Sequence, residues 1–240
     1  MLCKRLVIVL TFNDGVLTRT KKFSPDYIYT KNFVDVLDVD EMVFLDVTRG
    51  GNREAFFRGI GAIMDNCFAP TTLGGGIRTL DDVKEFFDNG ADKVTVNTGA
   101  LLRPDLIGDI AVKYGSQAVV LSIDARGDRV YSHCGQERTD WSPVEWANRG
   151  VSLGAGEILI NSLDRDGSLQ GYDLEMNQAV AEAVSVPVMF LGGAGNWQHL
   201  VDGVNAGADA VCTQVIHHFT GNSITAAKRY MADKGIHVRS

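Results

Sequence analysis

The sequence is short of cysteine, histidine, basic charge and long apolar runs, and each shortage removes a class of function. Four cysteines in 240 residues, Cys3, Cys67, Cys134 and Cys212, stand far apart with no CxxC pair. Neither a zinc module nor a disulfide framework is built that way, and reduced cytosolic thiols are expected. The histidines, His133, His199, His217, His218 and His237, have no spacing that gathers three ligands, so no metal site and no cofactor are expected; the His217–His218 pair reads as the end of a surface helix. Lys and Arg number 23 against 30 Asp and Glu, a net charge of −7, which argues against a nucleic-acid surface and for small molecules or proteins as partners. No apolar stretch approaches the roughly 20 residues that span a bilayer, and no charged segment leads into an apolar one at the start, so a cytoplasmic protein without a membrane partner is expected.

What remains is an ordinary globular composition, 45% hydrophobic and 22% charged, with 26 glycines. Eight short, apolar runs rich in β-branched residues recur: Leu6–Leu10, Met42–Leu45, Thr71–Leu73, Val94–Val96, Ala118–Ile123, Ile158–Ile160, Pro187–Leu191 and Ala210–Cys212. Helical stretches separate them. From Thr79 to Asn89, Thr79 and Asp82 form a capping-box pattern, and Leu80, Val83, Phe86 and Phe87 share a face before Gly90. Strand and helix in alternation imply parallel strands.

The chain also repeats itself. EMVFLDV at Glu41 matches GEILINSLD, whose Glu is Glu157; LGGGI at Leu73 matches LGGAG at Leu191; GADKV at Gly90 matches GADAV at Gly207. Those pairs lie 116, 118 and 117 residues apart, and Thr11 and Asp124 end corresponding strands 113 apart. Four βα units have been duplicated. Two such halves, about 1–115 and 116–240, close into a single (β/α)8 TIM barrel spanning 1–240, whereas an open sheet would not need the equivalence.

On this fold chemistry sits where the strands end, which gathers Thr11, Asp46, Asn97, Asp124, Asn161, Asp164 and Asp166 at one mouth. Gly74, Gly75 and Gly76 in one half, and Gly192, Gly193 and Gly195 in the other, precede helices. Such glycines make tight βα turns or let backbone N–H groups and a helix start approach phosphate. The symmetric pair, together with Asn97 and Thr98, favours phosphate, and suits a phosphorylated small molecule with two such groups. Trp141, Trp146 and Trp197 read as packing residues.

MLCKR, EMVFLDV, LGGGI, GADKVTVNT, GSQAVVLSID, GAGEILINSLDRDG, GYDLEM, LGGAG and GIHVR, in this order over nearly the whole chain, resemble the HisF family, the cyclase subunits of imidazole glycerol phosphate synthase. The resemblance implies a substrate with two phosphates and a separate HisH-like glutaminase whose ammonia crosses the barrel. It also implies two catalytic aspartates that exchange protons. Asp124 matches the second, but the first falls on Thr11, whose hydroxyl has no ionisation near neutral pH; losing a general acid or base typically costs about 10²–10⁴-fold. Asp14 keeps its family position without being brought inward by anything in the sequence.

Further carry-over concerns both ends of the barrel. Thr213 and Gln214 stand where the family completes its second phosphate site with small residues, and the glutamine either crowds a phosphate or donates to one. Arg5, Glu41, Lys93 and Glu157 match a charged ring that gates ammonia entry, though an ion-pair cluster closing a barrel end has the same composition. Asp92 matches an aspartate that docks the glutaminase. After Asn13-Asp14-Gly15 the first βα segment is short and basic, with Arg19 at a substrate-contacting position and Lys21 and Lys22 beside it. Thr11, the rebuilt segment and the intact ring together look like the WbuZ-type paralogues that serve surface-sugar amidation, in which a third amidotransferase protein takes part. A genuine histidine-pathway cyclase and a silent barrel that only activates a glutaminase stay open beside that reading.

Overall fold

The computed structural model describes residues 3–28, 39–214 and 224–239, so the His217–His218 pair lies outside the described residues. Eight parallel strands close on themselves: β1 (Arg5–Asn13), β4 (Glu41–Asp46), β5 (Thr71–Gly74), β6 (Lys93–Val96), β7 (Val119–Arg126), β10 (Glu157–Ser162), β11 (Val188–Leu191) and β12 (Ala210–Thr213), with β12 returning to β1. Closure runs Arg5 to Ala210 through Ile8 to Thr213. The chain is therefore a single (β/α)8 barrel, and the eight apolar runs are its strands, each observed strand longer or shorter than its run by a residue or a few.

Alternation along the strands sorts side chains into two cores. Val7, Val9, Val43, Val120, Leu159 and Met189 fill the interior, with Ala210 and Cys212. The neighbouring positions, such as Leu6, Ile8, Phe44, Val94, Leu121 and Ile160, face the surrounding helices. These helices are α1 (Arg53–Met64), α2 (Leu80–Asp88), α3 (Thr98–Leu102), α4 (Asp105–Tyr114), α5 (Pro143–Leu153), α6 (Leu174–Ala183), α7 (Trp197–Asn205) and α8 (Ile224–Asp233). Helix α2 begins as its sequence predicts: Thr79 accepts from the Asp82 amide, and the Asp82 carboxylate accepts from the Thr79 amide in return. Val83 and Phe86 are buried, with Leu80 and Phe87 packed beside them. Trp146 is fully buried against Trp141, ring centres 5.3 Å apart, and Trp197 packs on Tyr230 at 5.7 Å.

Two antiparallel additions interrupt the βα rhythm. After β1 come β2 (Val16–Lys21) and β3 (Ser24–Ile28); after β7 come β8 (Arg129–Ser132) and β9 (Glu137–Arg138). Since β1 and β7 are the first strands of the two halves, the hairpins occupy equivalent places. Both stand over the mouth.

The opposite end is pinned by three aspartates, each just before a strand. Asp40 accepts from the Leu6 amide at 2.8 Å, Asp92 from the Thr71 amide at 2.8 Å and Asp209 from the Val188 amide at 3.1 Å. Each carboxylate thus ties its own strand to the start of a neighbour. Asp40 also forms a buried 2.6 Å ion pair with Lys228 of α8, which locks the last helix onto the barrel. No helix among the described residues is long and apolar enough to cross a membrane.

Candidate active site at the mouth of the barrel

Where the strands end, a cavity of about 350 Å³ opens, lined by Asp46, Gly75, Gly76, Asn97, Thr98, Asp124 and Asn161 among others. Asp124 is its best-anchored acid. Asn97 Nδ2 donates to one carboxylate oxygen at 3.0 Å and Asn161 Nδ2 to the other at 2.9 Å, and only 5% of the residue is exposed. Burial pushes Asp124 up to about 7, reinforced by the charge of Asp166 and opposed by the Asn161 bond. A carboxyl in that range is both a competent acid and a competent base at neutral pH. Burial likewise raises Asp46, against its bonds from Thr48. It raises Asp166 to about 6, against the backbone amides of Lys22 and Phe23 in the β2–β3 turn. Asp166 is held by that turn at the rim and does not line the cavity; Asp164 is exposed and faces Arg126 at 3.6 Å.

Thr11 is buried at the mouth and fully engaged. Its hydroxyl donates to the Thr18 carbonyl at 2.6 Å and accepts from Gln214 Nε2 at 2.7 Å. The Gln214 amide also reaches the Thr18 carbonyl at 3.3 Å, so the glutamine lies across the first strand and its hairpin. Asp14 stays in the exposed β1–β2 turn, its amide bonded to Thr48. Arg19 pairs with Asp26 inside the hairpin, and Lys21 lies 3.4 Å from the same carboxylate, so the basic segment is held largely by its own acid.

The two glycine loops match in sequence, Gly75 with Gly193 and Gly76 with Ala194, and a Cβ on Gly75 would lie 2.4 Å from the Asp46 carbonyl oxygen. A Cβ at Gly76 would meet nothing closer than an Arg53 nitrogen at 3.8 Å, so this face stands open to the cavity. At Gly193 a Cβ would lie 2.2 Å from the Gly171 carbonyl oxygen, and at Gly195 2.3 Å from that of Leu169. The Gly193 carbonyl already accepts from the Gly171 amide at 2.8 Å. Gly192, Gly193, Thr213 and Gln214 do not line the cavity. The helix starts are also taken: Asp82 caps the amides of Arg78 and Thr79, and His199 accepts from Gly195 at 3.1 Å. The starts of α2 and α7 are thus occupied by side chains of their own segments, Asp82 and His199.

At the far end, the four charged residues form one closed ring. Arg5 contacts Glu41 at 2.6 Å and also Glu157; Lys93 contacts Glu41 at 2.9 Å and Glu157 at 2.7 Å. Both glutamates are almost wholly buried, and Thr72 adds a 2.9 Å bond to Glu41. Asp92 remains exposed while pinning Thr71.

Sequence reading missed the cavity's cationic side and its second hairpin. Arg49 and Arg78 line the cavity with His133, Cys134 and Gln136 from the β8–β9 turn. In the amide orientation that satisfies both groups, Gln136 accepts from Arg49 Nε at 2.9 Å. Burial pushes the Cys134 thiol up to about 11, which keeps it protonated and unsuited to nucleophilic work. The signal that was available is the arginine directly after LDVT, three residues past the end of β4. Among the described residues no cluster of His, Cys, Asp and Glu is arranged to hold a metal ion.

A closed barrel with a glycine loop along its cavity, a buried carboxyl in its mouth and hairpins over that end defines the class: a (β/α)8 enzyme scaffold of the HisF/HisA kind. Residues 8–222 match the family described as "Histidine biosynthesis protein", and the chain belongs to that family as a HisF-like member.

Proposed function

We propose that this chain is the ammonia-using subunit of a glutamine amidotransferase pair and that it serves amidation of a surface-polysaccharide sugar rather than closure of an imidazole ring. The observation that carries this reading is Thr11, whose hydroxyl is committed to Thr18 and Gln214 where the cyclases carry a second acid. Asp124 alone of that pair is left to move a proton. The balanced ring at the other end supports an ammonia entrance facing a HisH-like glutaminase, with the exposed Asp92 beside it as a docking residue. A third amidotransferase protein would then act on the sugar.

The alternative, a genuine cyclase subunit in histidine biosynthesis, is favoured by one observation. Asp124 at about 7 and Asp166 at about 6 give this end of the barrel two carboxyls that change protonation near neutrality. Turnover of the cyclase substrate by the purified chain, with ammonium salt in place of a glutaminase, separates the two. No detectable turnover, with activity gained on Thr11→Asp, supports the first reading; robust formation of imidazole glycerol phosphate establishes the second. Stimulated glutamine hydrolysis on mixing with a HisH-like glutaminase, and its loss with Asp92→Ala, checks the partnership.

A further inference from the structure

We infer that the β2–β3 hairpin is a strap across the mouth of the barrel, hinged at a bulge in its own arm and shut by the Asp166 carboxylate of the β10–α6 segment, so that Asp166 governs whether the cavity is open. The inference goes beyond the proposed function and does not depend on it; under that reading, ammonia bound for a third protein would leave past this strap.

The tip is a two-residue turn that its own sequence disfavours. Lys21 pairs with Ser24, which leaves Lys22 and Phe23 at the corner with φ of 51° and 61°. Asn and Gly enter that left-handed region readily, whereas Lys and Phe do so only under constraint. The constraint is Asp166. Its carboxylate accepts from the Lys22 amide at 2.5 Å and also from the Phe23 amide. Successive amides turned to one side in this way form a cup for a negative charge. Beside it the Lys21 stem lies on Gly167, where a Cβ would stand 2.5 Å from Lys21 Cγ. Strand β10 is the third round the barrel from β1, so a hairpin rooted on one side of the mouth is held down on another.

The base is pinned separately from the tip. Thr11 donates to the Thr18 carbonyl, and the Gln214 amide reaches both residues. Past that pin the β2–β3 pairing slips between Arg19 and Thr20, and a bulge there breaks the ladder and lets the arm bend. Phe23 lines the mouth cavity on one side and, on the other, a second cavity that it shares with Asp14, Pro25 and Thr48. Lifting the tip about the bulge removes that common wall and joins the two spaces.

The latch is also linked to protons. Held shut, Asp166 is raised by burial to about 6, opposed by the Lys22 and Phe23 amides and the Lys22 charge. Asp124 of β7 feels its charge, and on its own segment Asp164 lies 3.6 Å from Arg126. The Lys21 ammonium is drawn to Asp26. With the tip lifted, the carboxyl meets water and returns towards 3.8. Between those values the shut form holds a proton that the open form has released. The shut form is therefore favoured below pH ~4 and loses that advantage as pH rises through about 6. From about pH 5 to about pH 7 the ratio of open to shut should rise about tenfold.

Amide hydrogen exchange of the full chain, followed by NMR and corrected for the intrinsic rate at each pH, reads the open population at Lys22 and Phe23. In the native chain their protection should fall about tenfold over that interval, with the Asp166 carboxyl titrating at about 6. Asp166→Ala should remove protection at both amides at every pH, while the base around Thr18 keeps its own. Asp166→Asn retains an oxygen acceptor without a titrating charge, and should keep the protection and lose its pH dependence. Melting checks that both variants fold. Protection that changes less than about twofold in the native chain, that survives Asp166→Ala, or that keeps its pH dependence in Asp166→Asn overturns the inference. No glutaminase and no cyclase substrate enters the measurement, so its outcome and that of the turnover assay are independent.

Discussion

Replacing Asp124 by asparagine removes a buried carboxyl whose cost of ionisation is built into the native state, so the effect on stability must vary with pH. Burial carries this group from 3.8 to about 7, which penalises the charged form by about 4 kcal/mol in the folded chain. Between those values the native state holds a proton that the unfolded state has released. Stability contributed by the group is therefore fully present below pH ~4, declines as pH rises, and is gone above pH ~7. The asparagine variant has no such slope. Asn161, whose oxygen has no protein partner, can turn its amide to accept from the new Nδ2, which limits the loss of hydrogen bonding. Urea unfolding followed by tryptophan fluorescence at about pH 5 and about pH 8 should show the variant gaining on the native chain by about 3 kcal/mol over that interval. A gain below about 1 kcal/mol would mean that Asp124 is hydrated in solution and that the argument from burial is wrong.

Two further outcomes follow from the ring and the loops. Lys93→Met leaves the buried Glu41 and Glu157 with Arg5 alone and should cost about 2–4 kcal/mol, discounted for the partial exposure of the lysine. Adding Glu41→Gln restores the charge balance and should recover part of that loss, as read by a double-mutant cycle in urea; additive losses would show that the ring is not coupled. Gly193→Ala meets both a φ of 99° and the Gly171 carbonyl, and should cost about 2–4 kcal/mol, whereas Gly76→Ala at φ 66° meets only the backbone strain, about 1–2 kcal/mol. Equal melting losses would refute the difference in packing between these two positions.

The barrel was legible because its strands are short apolar runs whose spacing repeats, and Thr79 with Asp82 announces α2 in four residues. The hairpins were not. Val16–Lys21 mixes apolar, hydroxyl and basic residues in the pattern of a solvated loop, and its pairing to β1 is decided by the strand it continues from. Nor could sequence show what packs on each glycine loop: Asp46 of β4 against Gly75, and the β10–α6 residues Leu169 and Gly171 against Gly195 and Gly193. The Asp40–Lys228 pair joins residues 188 apart and has no local signature. Asp92 shows the reverse case. The repeated GAD before β6 and β12 marks a strand-pinning aspartate, which the resemblance alone did not disclose.

Closure between the first strand and the last has a consequence for how the chain is made. The hairpin covers β1 only from Thr11 to Asn13, and the stretch Arg5–Ile8 finds its second neighbour only in Ala210–Thr213. At roughly 5–20 residues per second, a ribosome takes on the order of 10–40 s to supply that neighbour. Throughout this time the first half-barrel carries an unpaired edge with Leu6, Val7 and Ile8 in it, the kind of edge to which another nascent chain can add a strand. The native ring is thus also a race, in which the last strand must reach the first before a foreign one does.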